Sequence, residues 1–387
     1  MTDGAAQTST AGRKTRQRWI DLARGLAIAL VALGHLTTGN GVSVWLPALD
    51  NMHIGLYLFH MPLFFMLGGL VLHVRGRDFR SFTASRARTL LVPYYVFSLY
   101  YLAKPLVLTA RPELAATFGA DTAETGQTVW DVLVMGEGLW FLWAYFWGQL
   151  IAYGILKALE DASDQTRSNT CQLLGFALTV AVQLWWTVGP ALKLPFHLVR
   201  GVEAAGYILI GVALRDVFAK AERRQAALAG LGFAIAFVFV ARTALPDTWI
   251  SRDYVCIING TPAAVSAGLT VVAAYLGAGA VILISRAVET CSPLEHVGRD
   301  SIVFYALSAP AMNLCKLVLF TLLGVDAAAA AMPTQLAVGC LLALASIALI
   351  VPADLLIQRH LPWLIGRRRT DAGPRPQTPA DPTDPAD

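Results

Sequence analysis

Long apolar stretches separated by short polar connections run through the whole chain, and the stretches have the length of membrane spans. They read roughly 19 to 38, 54 to 74, 89 to 108, 138 to 156, 171 to 189, 199 to 214, 227 to 245, 261 to 285, 300 to 323 and 333 to 357. About 20 apolar residues in a helix cross a hydrocarbon core. Inside lipid only helices and closed barrels satisfy their own backbone hydrogen bonds, so the pattern predicts an all-α, polytopic membrane bundle of about ten transmembrane helices. The sixth stretch is short and carries Glu203, and is expected to be tilted, broken or partly buried among its neighbours.

The polar connections alternate in charge. Arg13, Lys14, Arg16 and Arg18 precede the first stretch, Arg75, Arg77, Arg80, Arg86 and Arg88 crowd the second connection, and Arg215, Lys220, Arg223 and Arg224 fill the sixth. Residues 39 to 53 hold no Lys or Arg, and 109 to 137 hold only Arg111 against five acidic residues, Glu113, Asp121, Glu124, Asp131 and Glu137. By the positive-inside rule both termini are cytoplasmic. The segment from 109 to 137 is the largest extramembrane piece and is expected to fold over the bundle as a short lid or hairpin.

Composition agrees with the pattern. The 387 residues are 56% hydrophobic and 14% charged, with a mean hydropathy of +0.55, which excludes a soluble protein of this length. The net charge of +4 reflects the cytoplasmic bias, and nothing points to nucleic acid. Arg24 interrupts the first stretch and no small-residue cleavage site follows, so it is expected to remain attached rather than act as a signal peptide. The five cysteines are scattered, without metal-ligand spacing, and read as small buried hydrophobes; no metal is expected. A polar N-terminus, 1–18, and a Pro/Asp-rich tail, 366–387, are expected to be disordered around a membrane domain at 19–358.

Candidate chemistry begins in the first stretch, RWIDLARGLAIALVALGHL. Arg24 and His35 lie eleven helical steps apart, which puts them on one face about 16 Å apart along the axis. Ionisable groups on a spanning helix are costly and default to a functional reading. The alternative is that Arg24 snorkels to the headgroups and His35 caps the helix end. His60, just before Pro62, serves a helix interface or catalysis equally well. Arg86 and Arg88 stand before Pro93 at a cationic mouth suited to an anionic cofactor, although topology alone also puts arginines there. Trp140 belongs to an aromatic belt, and Glu137 just outside it reads either as a solvated outer carboxylate or as a candidate contact for a hydroxylated acceptor. Asp300 and Ser301 resemble a helix cap.

In order and spacing these segments resemble the acyltransferase-3 family of integral membrane acyltransferases, which modify extracytoplasmic glycans and other envelope molecules. The resemblance is carried by Asp21, Arg24 and His35, by Met61 to Phe65, by Arg86 to Tyr94, by Trp140 to Leu142 and by Gly298 to Ser301. It departs at Gly68-Gly69, where the family commonly has Ser-Gly, and at Ser308, where it often has His. The resemblance implies transfer of an acyl group, acetyl being the commonest, from cytoplasmic acyl-CoA to a hydroxyl of an extracytoplasmic glycan or glycolipid. It implies His35 as the catalytic group and Arg24, with Arg86 and Arg88, as donor-binding residues; His60, Glu137 and Trp140 are assigned to the acceptor side. Asp21 lies about 21 Å from His35 along the helix, so it pairs with Arg24 at i, i+3 and any partner that orients His35 comes from another helix. The expected location is a bacterial inner membrane. Two other classes fit parts of the pattern: a transporter or flippase for an amphiphilic envelope precursor, with Glu203 as a midplane acid, and a membrane scaffold with a degenerate site.

Overall fold

The computed structural model describes residues 17–36, 44–112, 125–189, 192–244, 248–250, 256–258 and 260–367. Most of both tails, and residues 113–124 of the expected lid, lie outside them. In chain order the α-helices are α1 (Arg18–Gly34), α2 (Asp50–Val71), α3 (Phe79–Arg86), α4 (Val92–Phe97), α5 (Leu99–Ala110), α6 (Thr125–Trp130), α7 (Trp140–Ala158) and α8 (Asp164–Val188). They continue as α9 (Leu198–Ala213), α10 (Arg215–Lys220), α11 (Arg223–Ala244), α12 (Ala263–Val288), α13 (Ser292–Arg299), α14 (Ser301–Lys316) and α15 (Met332–His360). A short antiparallel hairpin, β1 (Thr248–Ile250) and β2 (Cys256–Ile258), joins α11 to α12 and was not foreseen from hydropathy.

Among the described residues, nine helical segments are long and apolar enough to cross a membrane. The first stretch forms α1, whose 17 residues sit at the lower limit for a span. It stops at Gly34, short of the expected 38, so His35 occupies the C-cap. The third stretch is helical from Phe79 to Ala110 but not uniformly so. Asp78 starts it by accepting the Ser81 backbone N–H at 2.9 Å. A π-helical turn at Ala87–Leu91 precedes Pro93, where the missing N–H breaks the regular ladder and the register slips by one residue. The fourth span has a second such turn at Asp131–Met135 and then bends at Gly136, whose φ of +89° suits glycine.

The short sixth span, α9, sits against α2, α7 and α8, which shield its polar groups as the sequence led one to expect. It is also irregular at its start, where Phe196 and His197 hold φ of 56° and 50°, a costly conformation for residues with a Cβ. Asp300 occupies the N-cap of α14 but makes no capping hydrogen bond; its carboxylate is turned to Arg367 instead. The cysteines do not behave alike: Cys171 is buried, Cys291 and Cys315 are half-buried, and Cys340 is exposed.

The start of α1 is locked to α13. Arg18 donates to both carboxylate oxygens of Glu295, at 2.9 and 3.1 Å, and this bond holds the Glu295 carboxyl below the usual range. Deeper in, Gly25 lies against the Leu294 carbonyl and Gly298 against that of Asp21, so close that a Cβ on either would overlap backbone. Gly298→Val is therefore expected to destabilise the fold by about 1–3 kcal/mol, the range for overpacking. Thermal unfolding in detergent measures this, and an unchanged midpoint would show that the two helices are free to separate.

Candidate active site

Two cavities lie along α1, one at each end. The first, of about 110 Å³, is lined by His35 with Val31 and Gly34 from α1, by His60 and Phe65 from α2, by Glu137 and Trp140 at the start of α7, by Glu203 from α9 and by Tyr305 from α14. His35 meets it from the end of α1, with its backbone N–H directed to the carbonyls of Val31 and Ala32 at 3.1 and 3.2 Å. The ionisable neighbours of the imidazole are His53 and His60 from α2 and Lys316 from α14. Tyr57 lies between the two histidines, with ring centroids 4.1 Å from His53 and 4.8 Å from His60. His60 donates its Nδ1 proton to the Leu56 carbonyl at 2.7 Å, which leaves Nε2 as its other polar atom.

Farther around this cavity the polar groups are paired. Arg200 binds Glu203 at 2.7 Å, Gln183 donates to the same carboxylate at 2.9 Å, and all three are buried. The Arg200 guanidinium also lies over the rings of Trp140 and Trp186, at 5.7 and 5.4 Å. Glu137 stands 3.7 Å from Lys193 and 3.6 Å from His197.

The second cavity, of about 260 Å³, is cationic. Arg24, Arg86, Arg299 and Arg367 line it, with Asp300 as its one carboxylate and Tyr145 and Gln149 on the α7 side. Arg24 is 3.7 Å from Asp21 one turn back, the pairing the spacing led one to expect. Arg367 donates to Asp300 at 2.9 Å. Arg86 lies over the Phe82 ring at 5.0 Å, and its Nε is buried without a hydrogen-bond partner. Such an array suits a ligand bearing several negative charges.

Arg24 and His35, on one face of α1 by their spacing, thus open onto different cavities. Tyr305 lines both, and aromatic rings complete the wall between them. Phe65, on the His35 side, stacks on Phe141, on the arginine side, with centroids 4.9 Å apart, and Phe141 meets Tyr305 at 5.2 Å.

Of the residues singled out from the sequence, His35, His60, Glu137 and Trp140 line one cavity, and Arg24 and Arg86 the other. Arg88 lines neither; its backbone carbonyl packs against Gly366, and its Nε is buried without a partner. Residues two apart on a helix face different ways, which fits Arg86 and not Arg88 lining this cavity. Sequence reasoning passed over Gln149, Tyr305 and Arg367, because a polar residue inside an aromatic run, or one more arginine near a span end, looks like packing or topology, and it noted Arg299 only within the Gly298 to Ser301 motif. Among the described residues His296, Asp300 and Asp354 bring potential metal-ligating atoms within 4.8 Å of one another. Arg367 donates to Asp300 at 2.9 Å, Gln358 donates to Asp354 at 2.6 Å, and the His296 ring lies 3.5 Å from the Asp354 carboxylate.

Comparison with known proteins bears on this arrangement. Residues 17–352 match the family described as an acyltransferase domain, acyltransferase-3. A nodulation protein, NolL, from Sinorhizobium fredii (strain NBRC 101917 / NGR234) is 32% identical over 141 residues, 35% of this chain and 35% of that protein. The aligned region is therefore about a third of the relative's length. No solved structure matches the chain. With the match running from the start of α1 well into α15, and with the lining of the His35 cavity and all of the arginine cavity except Ile365 and Arg367 inside it, the chain belongs to the acyltransferase-3 family of integral membrane proteins.

Proposed function

We propose that this protein moves a short acyl group, acetyl above all, from cytoplasmic acyl-CoA to a hydroxyl of an extracytoplasmic glycan or glycolipid, in a bacterial inner membrane. The observation that carries the reading is the pair of cavities, one cationic and one holding His35, meeting at Tyr305. Arg24 and Arg86, helped by Arg299 and Arg367, hold the phosphates of the donor at the end where the basic connections gather. His35 in its neutral form takes the proton of the acceptor hydroxyl as that oxygen attacks the thioester carbonyl. As the carbon–sulfur bond breaks, His35 returns the proton to the departing sulfur, so the imidazole is regenerated. Trp140 and Glu137, with His60, face the acceptor.

Membranes containing the protein, incubated with radiolabelled acetyl-coenzyme A, are expected to transfer label to a hydroxylated envelope glycan or glycolipid. Movement of an envelope precursor across the membrane with no transfer of label would overturn the reading in favour of transport.

A further inference from the structure

Gln149 is a buried polar group on the arginine cavity that the reaction so far leaves unused. It lies on α7 with only 4% of its surface exposed, and its Oε1 has no hydrogen-bond partner. A buried carbonyl oxygen in that state has lost its hydrogen bonds to water and gained none from the protein. Its side chain lines the arginine cavity. Phe141 and Tyr145 line the same cavity at four-residue intervals along α7, so the three form one stripe about 12 Å long.

The cavity wall brings three kinds of group together. Arg86, from the preceding span, and Arg24 supply positive charge in the same cavity, Gln149 and Tyr145 supply neutral polar groups, and Phe141 with Tyr305 closes the side toward His35. A fitting ligand is therefore anionic at one end, carries neutral hydrogen-bonding groups along its middle, and ends in a small reactive tip. The pantetheine arm of coenzyme A, with its secondary amides between phosphates and sulfur, has this sequence of groups. We infer that Gln149 is a subsite for an amide of the pantetheine arm: Oε1 accepts the arm's N–H, and Nε2 donates to its carbonyl. Gln149 would then act as a positioning residue, setting how far the thioester advances past Phe141 toward His35. The inference rests on the reading that acyl-CoA is the donor.

The test is binding of coenzyme A and of adenosine 3′,5′-bisphosphate, which lacks the arm, to the purified full-length protein by calorimetry. Gln149→Leu is expected to weaken coenzyme A binding about five-fold, the effect of one lost neutral hydrogen bond, and to leave the armless nucleotide unaffected. Unliganded Gln149→Leu is expected to melt no lower than the unmodified protein, because the substitution removes an unpaired carbonyl oxygen. Equal loss for both ligands, or coenzyme A binding as tight as in the unmodified protein, would overturn the subsite, the latter pointing to a water at Gln149. A lower melting point would overturn it too, by revealing a structural partner. If the unmodified protein binds the bisphosphate but gains nothing from the arm, the subsite alone fails. If it binds neither ligand, the acyl-CoA reading fails and the subsite with it.

Discussion

His35→Ala is expected to lower acyl transfer by about 10²–10⁴-fold, the usual contribution of a positioned acid–base group, while the protein stays at normal abundance in the membrane. The second half of that expectation follows from where the residue sits. His35 is at the C-cap of α1, with its ring bordering a cavity, so truncation enlarges an existing space and opens no new hole in the packed interior. The helix end keeps the backbone hydrogen bonds to Val31 and Ala32, which the substitution does not touch. Release of free thiol from acetyl-coenzyme A in the presence of acceptor measures the rate, and immunoblotting measures abundance. A rate near that of the unmodified protein would remove His35 from the chemistry; lost abundance would mean that its role is structural.

A comparable effect on stability is expected at Arg200. Arg200→Met leaves the Glu203 carboxylate buried with Gln183 as its remaining direct partner, and breaking one half of a buried ion pair costs about 3–5 kcal/mol. Removing both charges, in Arg200→Met with Glu203→Gln, restores much of that loss, because the uncompensated charge is gone. Part of the deficit remains in the double variant, since the guanidinium also packs on Trp140 and Trp186. Thermal unfolding in detergent distinguishes the cases, and a double variant no more stable than Arg200→Met alone would falsify the account. The comparison also bears on transport, because a Glu203 that titrates during a transport cycle would tolerate loss of Arg200 more readily.

The hydropathy of the chain carried most of the fold. Ten apolar runs became nine spans plus α1, and even the irregular sixth run was marked by its length and by Glu203. The His35 cavity was partly legible because His35, His60, Glu137 and Trp140 each stand out against an apolar background. Pairing was harder to read. Glu203 is isolated from Gln183 by a connection between spans, and Arg200 reads as a topological charge until it is seen against two indole rings. The division into two cavities was invisible, since Phe65, Phe141 and Tyr305 come from three distant spans and each alone is an ordinary core aromatic. The π-helical turns escaped for a related reason: Pro93 announces a break, but hydropathy does not say how the backbone absorbs it.

The aromatic partition has a bearing on the cell's energy supply. A bore open from one face of the bilayer to the other would conduct protons and short-circuit the membrane potential. With Phe65, Phe141 and Tyr305 packed against one another between the two cavities, anything that passes from one to the other has to displace these rings. An alanine at Phe141 would then do its harm first as a leak.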